Sequence, residues 1–208
     1  MQAGHRIAIV TGGGRGIGRA IVERLRRDGA MVVTCGRGAR PADLSPEVLW
    51  VTGDVSRADD ARRIVAAAAG QGQIAVLVNN AGIQIEKTVP ETTDADWDQL
   101  VGINCRGVFN TCREVLPPMS EGGGGIVNLG SISGMVADHS MAIYNASKGF
   151  VHGLTRSIAV DHGPKVRCNA VSPGWIMTEM AESAFVTGQC ITIDGGLTVA
   201  SPLQPGLF

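Results

Sequence analysis

The chain has 208 residues, which at roughly 150 residues per domain predicts one domain with one large core. Eighteen Lys and Arg against nineteen Asp and Glu leave a formal charge of −1 and a pI near 6.4, so no field exists to hold a nucleic acid or an anionic membrane. Hydrophobic residues at 44% and a mean hydropathy of +0.14 exclude disorder, and the longest apolar runs, such as Ile7 to Val10 and Ala66 to Ala69, are too short to span a bilayer.

The first residues carry little charge and lead straight into Ile7-Ala8-Ile9-Val10, with no signal-peptide apolar region. From there short β-branched runs alternate with longer stretches of helical period, the pattern of βαβ units around a parallel sheet covered on both faces. Strands are predicted over 7–11, 31–35, 49–53, 74–79, 125–130, 166–171 and 189–193. Helices are predicted over 17–28, 57–69, 94–116 and 142–162, each with apolar residues three and four apart and no internal proline. Pro117-Pro118 is expected to end the third helix, and the Gly122–Gly125 run reads as a flexible turn into the fifth strand. Residues 201–208, with two prolines, read as a tail. The five cysteines (Cys35, Cys105, Cys112, Cys168, Cys190) form no CxxC pair and have no His at metal spacing. They are expected to be buried thiols of a reducing, cytoplasmic protein, and no metal site is expected.

Glycine, 29 of the 208 residues, is about twice its usual share of roughly 7%, so backbone must approach something closely. Strand 7–11 runs into Thr11-Gly12-Gly13-Gly14-Arg15-Gly16-Ile17-Gly18 and then a helix, the setting of a dinucleotide fingerprint. Glycines there let the chain turn tightly and let a pyrophosphate sit at the helix N-terminus; the same spacing also serves a tight turn without ligand. Where an NAD site usually offers a carboxylate, after the second strand, the chain reads Thr34-Cys35-Gly36-Arg37. Arg37, with Arg15, suits a 2′-phosphate, which favours NADP(H) while NAD(H) stays possible; the alternative is a solvated loop arginine.

Tyr144 and Lys148 are four apart, on one helical face. An ammonium about 5 Å from a phenol, at an effective dielectric near 20, favours phenolate by roughly 3 kcal/mol, which would bring a phenol of pKa about 10 towards 8. That suits general acid–base work; a surface Tyr–Lys pair is the plainer reading. The fifth strand delivers Ser131 at the carboxyl end of the sheet, where open α/β folds bind ligands. The fourth ends in Asn79-Asn80-Ala81-Gly82, and Asn104, a poor helix former, stands midway along the third helix.

Together these residues resemble the short-chain dehydrogenases/reductases in their single-domain form, close to the 3-oxoacyl-carrier-protein reductases. The likeness runs from Arg6 to Gly196. It rests on the glycine turn 11–18, Asp54-Val55, Asn79 to Gly82, Asn104, Ser131 lying thirteen residues before Tyr144, Lys148, Pro173-Gly174 with Thr178, and Asp194-Gly195-Gly196. It implies an α/β fold, a Rossmann-type doubly wound parallel sheet of about seven strands with helices on both faces, in one domain over residues 1–200. It also implies hydride transfer between NADP(H) and a carbonyl or secondary alcohol. In that picture Tyr144 gives or takes the proton, Ser131 hydrogen-bonds the reacting oxygen, and Lys148 holds the nicotinamide ribose and lowers the Tyr144 pKa. Asn104 fixes a water behind Lys148. Gly12, Arg15, Gly16, Ile17 and Gly18 cradle the cofactor, with Asp54 and Val55 at the adenine, Asn80 near a ribose, and Ile176 and Thr178 at the carboxamide. Ile83, Gln84, Ser133, His139, Met141 and Trp175 are expected to face the substrate. The expected partners are a small carbonyl or alcohol and further copies of the chain, as a homodimer or homotetramer. The chain departs from the family over 179–188, where the substrate lid is much shortened; this leaves a non-catalytic NADP binder as the alternative.

Overall fold

The computed structural model describes residues 6–174. In chain order it runs β1 (Arg6–Thr11), α1 (Gly16–Arg27), β2 (Met31–Gly36), β3 (Leu49–Thr52), α2 (Ala58–Ala69) and β4 (Gln73–Asn79). There follow α3 (Asp94–Val101), α4 (Val108–Gly122), β5 (Gly124–Leu129), α5 (Ala142–His162) and β6 (Val166–Val171). The six strands are all parallel, in the order β3-β2-β1-β4-β5-β6. The predicted seventh strand, 189–193, lies outside the described residues.

β1 explains why the sheet is covered on both sides. Its residues Ile7 to Thr11 are all buried, as in a parallel strand packed on both faces. Because side chains alternate across a strand, Ile7 and Ile9 enter one core with Ile64 of α2, Val115 and Met119 of α4 and Val151 of α5. Ala8 and Val10 enter the other, with Val22 of α1 and Val48. The order reverses between β1 and β4: the chain winds outward through β2 and β3, then returns to build β4, β5 and β6. At such a switch point the loops leaving the two strands part and open a crevice beyond their carboxyl ends.

The predicted helix 94–116 is two helices joined by a π-helical turn over Gly102–Gly107, and Asn104 sits in that turn. A residue with poor helical preference is thus accommodated by widening the helix, a local device frequent at functional sites. The expectation that Pro117-Pro118 ends the helix is corrected, since α4 continues through both prolines to Gly122. Val115 and Met119 are fully buried on either side of them, and the residues whose carbonyls lose their donors, Arg113 and Glu114, are exposed and half-buried, within reach of water. Tertiary burial here outweighs a local breaker. The glycine run is accordingly no free turn: Gly123 stops α4 at φ +76° and ψ 159°, a backbone conformation that favours glycine, and Gly124 and Gly125 already belong to β5.

Candidate active site

At the switch point lies a cleft of about 580 Å³, lined from β2, β3, β5, α1 and α5 and from the loops that leave β1 and β4. One end is the glycine turn. Gly12 holds φ +68°, a conformation that favours glycine, and donates its N–H to the Cys35 carbonyl at 3.0 Å. Thr34 pins the next residue, accepting from the Gly13 N–H at 3.0 Å and donating to the Val10 carbonyl at 2.6 Å. A Cβ on Gly18 would overlap the Gly12 carbonyl and the Asn80 amide. No side chain caps the start of α1 and no acidic residue stands in its first turn, so its dipole faces the cleft open to an anion.

Gly12, Arg15, Gly16, Ile17 and Gly18 line this end, and Arg37 lines it at the exit of β2. Asp54 and Val55 form the floor beside them. One Asp54 carboxylate oxygen already accepts from the N–H and hydroxyl of Ser56, at 2.9 and 2.7 Å. Asn80 also lines the cleft, but its Nδ2 donates to the carbonyls of Thr11 and Gly12, at 3.0 and 3.2 Å. Asn80 therefore braces the glycine turn against the end of β4. Among the lining residues that the sequence reading did not name are Pro41 and Trp50; the indole lies so close to Gly14 and Gly36 that neither tolerates a Cβ without a shift.

The other end gathers Ser131, Tyr144 and Lys148. Ser131 follows β5, is buried, and donates its hydroxyl to Ser133 Oγ at 2.9 Å. Lys148 is buried, with Nζ donating to the Leu129 carbonyl at 2.7 Å and 5.6 Å from the Tyr144 ring centroid. Burial pulls this ammonium down to about 8. The expectation that Lys148 draws the phenol towards 8 is not met: Tyr144 lies above the ordinary value of 10.0, chiefly through burial, against the lowering bond from Ser131 and with the Asp138 charge adding to the rise. The ammonium is aimed at a carbonyl, and desolvation of the phenolate wins.

Asn104 stands behind the cleft. Its Oδ1 accepts from the Ile83 N–H at 2.9 Å, and its Nδ2 donates to the Ile83 carbonyl at 2.9 Å and to Ser147 Oγ at 3.1 Å. It thus ties the segment after β4 to the helix turn that carries Lys148. Of the residues expected at the substrate, Ile83, Gln84, Ser133 and Met141 line the cleft; Asp138 does so where His139 was expected. His139 is exposed and paired with Ser140. Trp175, Ile176, Thr178 and the stretch 179–188 lie outside the described residues.

A glycine turn opening an uncapped helix at the switch point of a parallel sheet, with a buried Ser and Lys and a half-buried Tyr in the same cleft, defines a dinucleotide-binding oxidoreductase architecture. Residues 6–187 match the family model described as short chain dehydrogenase. The chain is 40% identical over 192 residues to the 2-(R)-hydroxypropyl-CoM dehydrogenase of Xanthobacter autotrophicus, covering 85% of this chain and 77% of that protein. It is 37% identical over 191 residues to the NADP-dependent (R)-specific alcohol dehydrogenase of Lentilactobacillus kefiri, covering 85% and 75%. Among solved structures it is similar to ligand-free aldohexose dehydrogenase of Thermoplasma acidophilum, with a TM-score of 0.80 and 32% identity over 85% of this chain and 69% of that one. The chain belongs to the short-chain dehydrogenase family, oxidoreductases that act on alcohols and ketones with nicotinamide cofactors. Among the described residues, no helix is long and apolar enough to cross a membrane.

Proposed function

We propose that the protein is an NADPH-dependent carbonyl reductase, working in reverse as an alcohol dehydrogenase, on a small or acyl-chain ketone. The observation that carries this is the sharing of one cleft by the glycine turn and by Ser131, Tyr144 and Lys148. When bound, the cofactor supplies the hydride. Tyr144 gives its proton to the carbonyl oxygen, and its raised proton affinity keeps that proton in place until the oxygen becomes basic. Ser131, fixed at the end of β5, hydrogen-bonds the same oxygen. Lys148 places its Nζ beside the nicotinamide ribose, and its readiness to titrate near 8 lets it replace the proton that Tyr144 loses. Asn104 sets the backbone around Ile83 and α5, and a water held at its turn connects Lys148 to solvent.

The uncapped α1 terminus takes the pyrophosphate, with Gly12, Gly16, Ile17 and Gly18 leaving room for it. Arg15 and Arg37 take the 2′-phosphate, which is why NADP(H) is preferred to NAD(H); the relative named as NADP-dependent supports this. Asp54 and Val55 flank the adenine, and Ile176 and Thr178 meet the carboxamide. Ile83, Ile132 and Met141 give the substrate an apolar wall. Trp97, Phe109 and Phe150 on α3, α4 and α5 are 51%, 44% and 41% exposed, large apolar side chains that suit burial in a homodimer or homotetramer. The unpaired, buried thiols suit the cytoplasm. The experiment is NADPH consumption against acetoacetyl thioesters, diketones and cyclic ketones: turnover supports the reading, and tight NADPH binding without turnover on any ketone defeats it.

A further inference from the structure

Two of the residues lining the cleft are aromatic, Tyr144 at the reacting end and Trp50 at the glycine-turn end. The chemistry assigned so far gives Trp50 no part. β3 pairs in parallel with β2, Trp50 opposite Thr34 and Thr52 opposite Gly36, so Trp50 and Gly36 lie on one face of the sheet, two positions apart along the strands. The indole reaches diagonally over Gly36, where a Cβ would stand 2.6 Å from Cη2 and 3.0 Å from Cζ2. At Gly14 a Cβ would stand 3.3 Å from the indole Cη2 and 3.4 Å from Pro41 Cγ. Neither glycine has a positive φ, so what these positions demand is space and not conformational freedom.

The ring is fixed where it stands. It packs on the core that holds Val10 and Val22, and its Nε1 donates to Thr52 Oγ1 at 3.2 Å. Thr52 Oγ1 in turn donates to the Gly38 carbonyl at 3.4 Å, and the Gly36 carbonyl accepts from the Gly53 N–H at 2.9 Å. The residues on both sides of Arg37 are thus fastened to β3 and to the residue after it. Past Arg37 the space opens, and a Cβ on Gly38 would meet nothing within 4 Å. Closure by the indole is therefore particular to position 36.

A dinucleotide site that takes NAD sets a carboxylate near the end of this strand, on the ribose hydroxyls. Gly36 ends β2 and lines the cleft, and the indole occupies the room that a side chain there would need. We propose that Trp50 is a specificity-determining residue for the cofactor: it shuts a carboxylate out of position 36 and leaves Arg37, the next residue, to meet the ribose 2′ position. Preference for a 2′-phosphate is then set twice, by a cation that attracts it and by a ring that excludes the group favouring its absence. Positions 36 and 50 act as one unit, so a carboxylate at 36 can reach the ribose only when residue 50 is small.

This role rests on the proposed use of NADP(H), and it is read without turnover from the Kd values for NADPH and NADH, measured by calorimetry with no substrate present. Gly36→Asp alone should weaken both cofactors by about tenfold or more, because the ring or the glycine turn must shift to admit the side chain. Gly36→Asp with Trp50→Val should bind NADH about tenfold or more tighter than Gly36→Asp does and should prefer it to NADPH, while Trp50→Val alone gives NADH no such gain. Gly36→Asp that binds NADH as well as wild type, a folded double variant that gains nothing, or an equal gain in Trp50→Val alone overturns the proposal. If Gly36→Asp does not fold, Gly36→Ala decides: NADPH affinity falls in the single variant and returns to within about threefold of Trp50→Val in the double, and a single variant that loses nothing, or a loss that Trp50→Val does not relieve, overturns it. A wild type that binds NADH more tightly than NADPH sinks the proposed cofactor, whatever the variants do; a wild type that prefers NADPH, with variants that do not couple, overturns the role of Trp50 alone.

Discussion

Replacing Asn128 with Leu should destabilise the fold by about 2–4 kcal/mol, and the structure says where this comes from. Asn128 is fully buried in β5, beside Asn79 in the parallel register of β4. Its Oδ1 accepts from Asn79 Nδ2 at 2.8 Å, and its Nδ2 donates to Thr155 Oγ1 at 2.9 Å. Leucine is close enough in size to leave little cavity, so the cost is polar. Asn79 Nδ2 would keep only the Cys112 sulfur at 3.2 Å, a weak acceptor, and a stranded buried donor costs about 1–3 kcal/mol. Thr155 keeps its donation to the Val151 carbonyl and loses its donor, worth about 0.5–1.5 kcal/mol. Against a total stability of about 5–15 kcal/mol the loss is large and easily measured by urea unfolding at fixed protein concentration. Asn79→Leu strands the other half of the same pair, so the double variant should cost less than the two singles summed, by about 1 kcal/mol or more. A single loss under about 0.5 kcal/mol, or strict additivity, would refute the view that this polar line locks β4 to β5 just ahead of Asn80 and Ser131.

Gly18→Ala should weaken NADPH binding at least tenfold by equilibrium fluorescence, because its Cβ would push into the Gly12 carbonyl and the Asn80 amide that shape the anion site; unchanged affinity would remove the glycine turn from the cofactor site. Arg37→Ala should raise the Kd for NADPH by about 10–100-fold, the value of one charge-assisted phosphate contact, and leave that for NADH within about twofold; equal losses for both would mean Arg37 does not read the 2′-phosphate. Lys148 is protonated less readily in the folded chain, at about 8 against an ordinary 10.5. Between those values the unfolded chain binds more protons, so this residue's contribution to stability rises with pH across that window. The difference in unfolding free energy between wild type and Lys148→Met should therefore shift in favour of wild type by about 3 kcal/mol from the bottom of the window to the top; a difference independent of pH would contradict the burial of a titrating ammonium.

Local signals were the legible ones. A turn that must bend tightly beside an anion demands glycines at fixed spacing, and Tyr144 and Lys148 meet because four residues make about one helical turn, so both patterns could be read without a fold. The strands were visible because β1, buried on both faces, leaves a continuous apolar run. What stayed hidden depends on long-range packing. Trp50 joins the cleft only because β3 lies beside β2, opposite Gly36 and Gly14. The helix through Pro117 and Pro118 persists because the sheet buries Met119, which a local rule for proline cannot register. Asp138 lies six residues before Tyr144 in a loop without periodicity, and the neighbouring His139, chemically the more conspicuous residue, points elsewhere. The protonation of Tyr144 was misjudged for a related reason: spacing gives the distance to Lys148, but not the burial of the phenol or the Leu129 carbonyl that holds the ammonium.

The most direct test of the account is NADPH consumption by the wild-type chain and by Tyr144→Phe on the same ketone. Loss of one positioned proton donor should slow turnover by about 10²–10⁴-fold while the Kd for NADPH stays within a few-fold, since the phenyl ring keeps its place in the cleft. A Tyr144→Phe chain that reduces the ketone at the wild-type rate would show that the proton comes from elsewhere and that the cluster of Ser131, Tyr144 and Lys148 is not the seat of the chemistry.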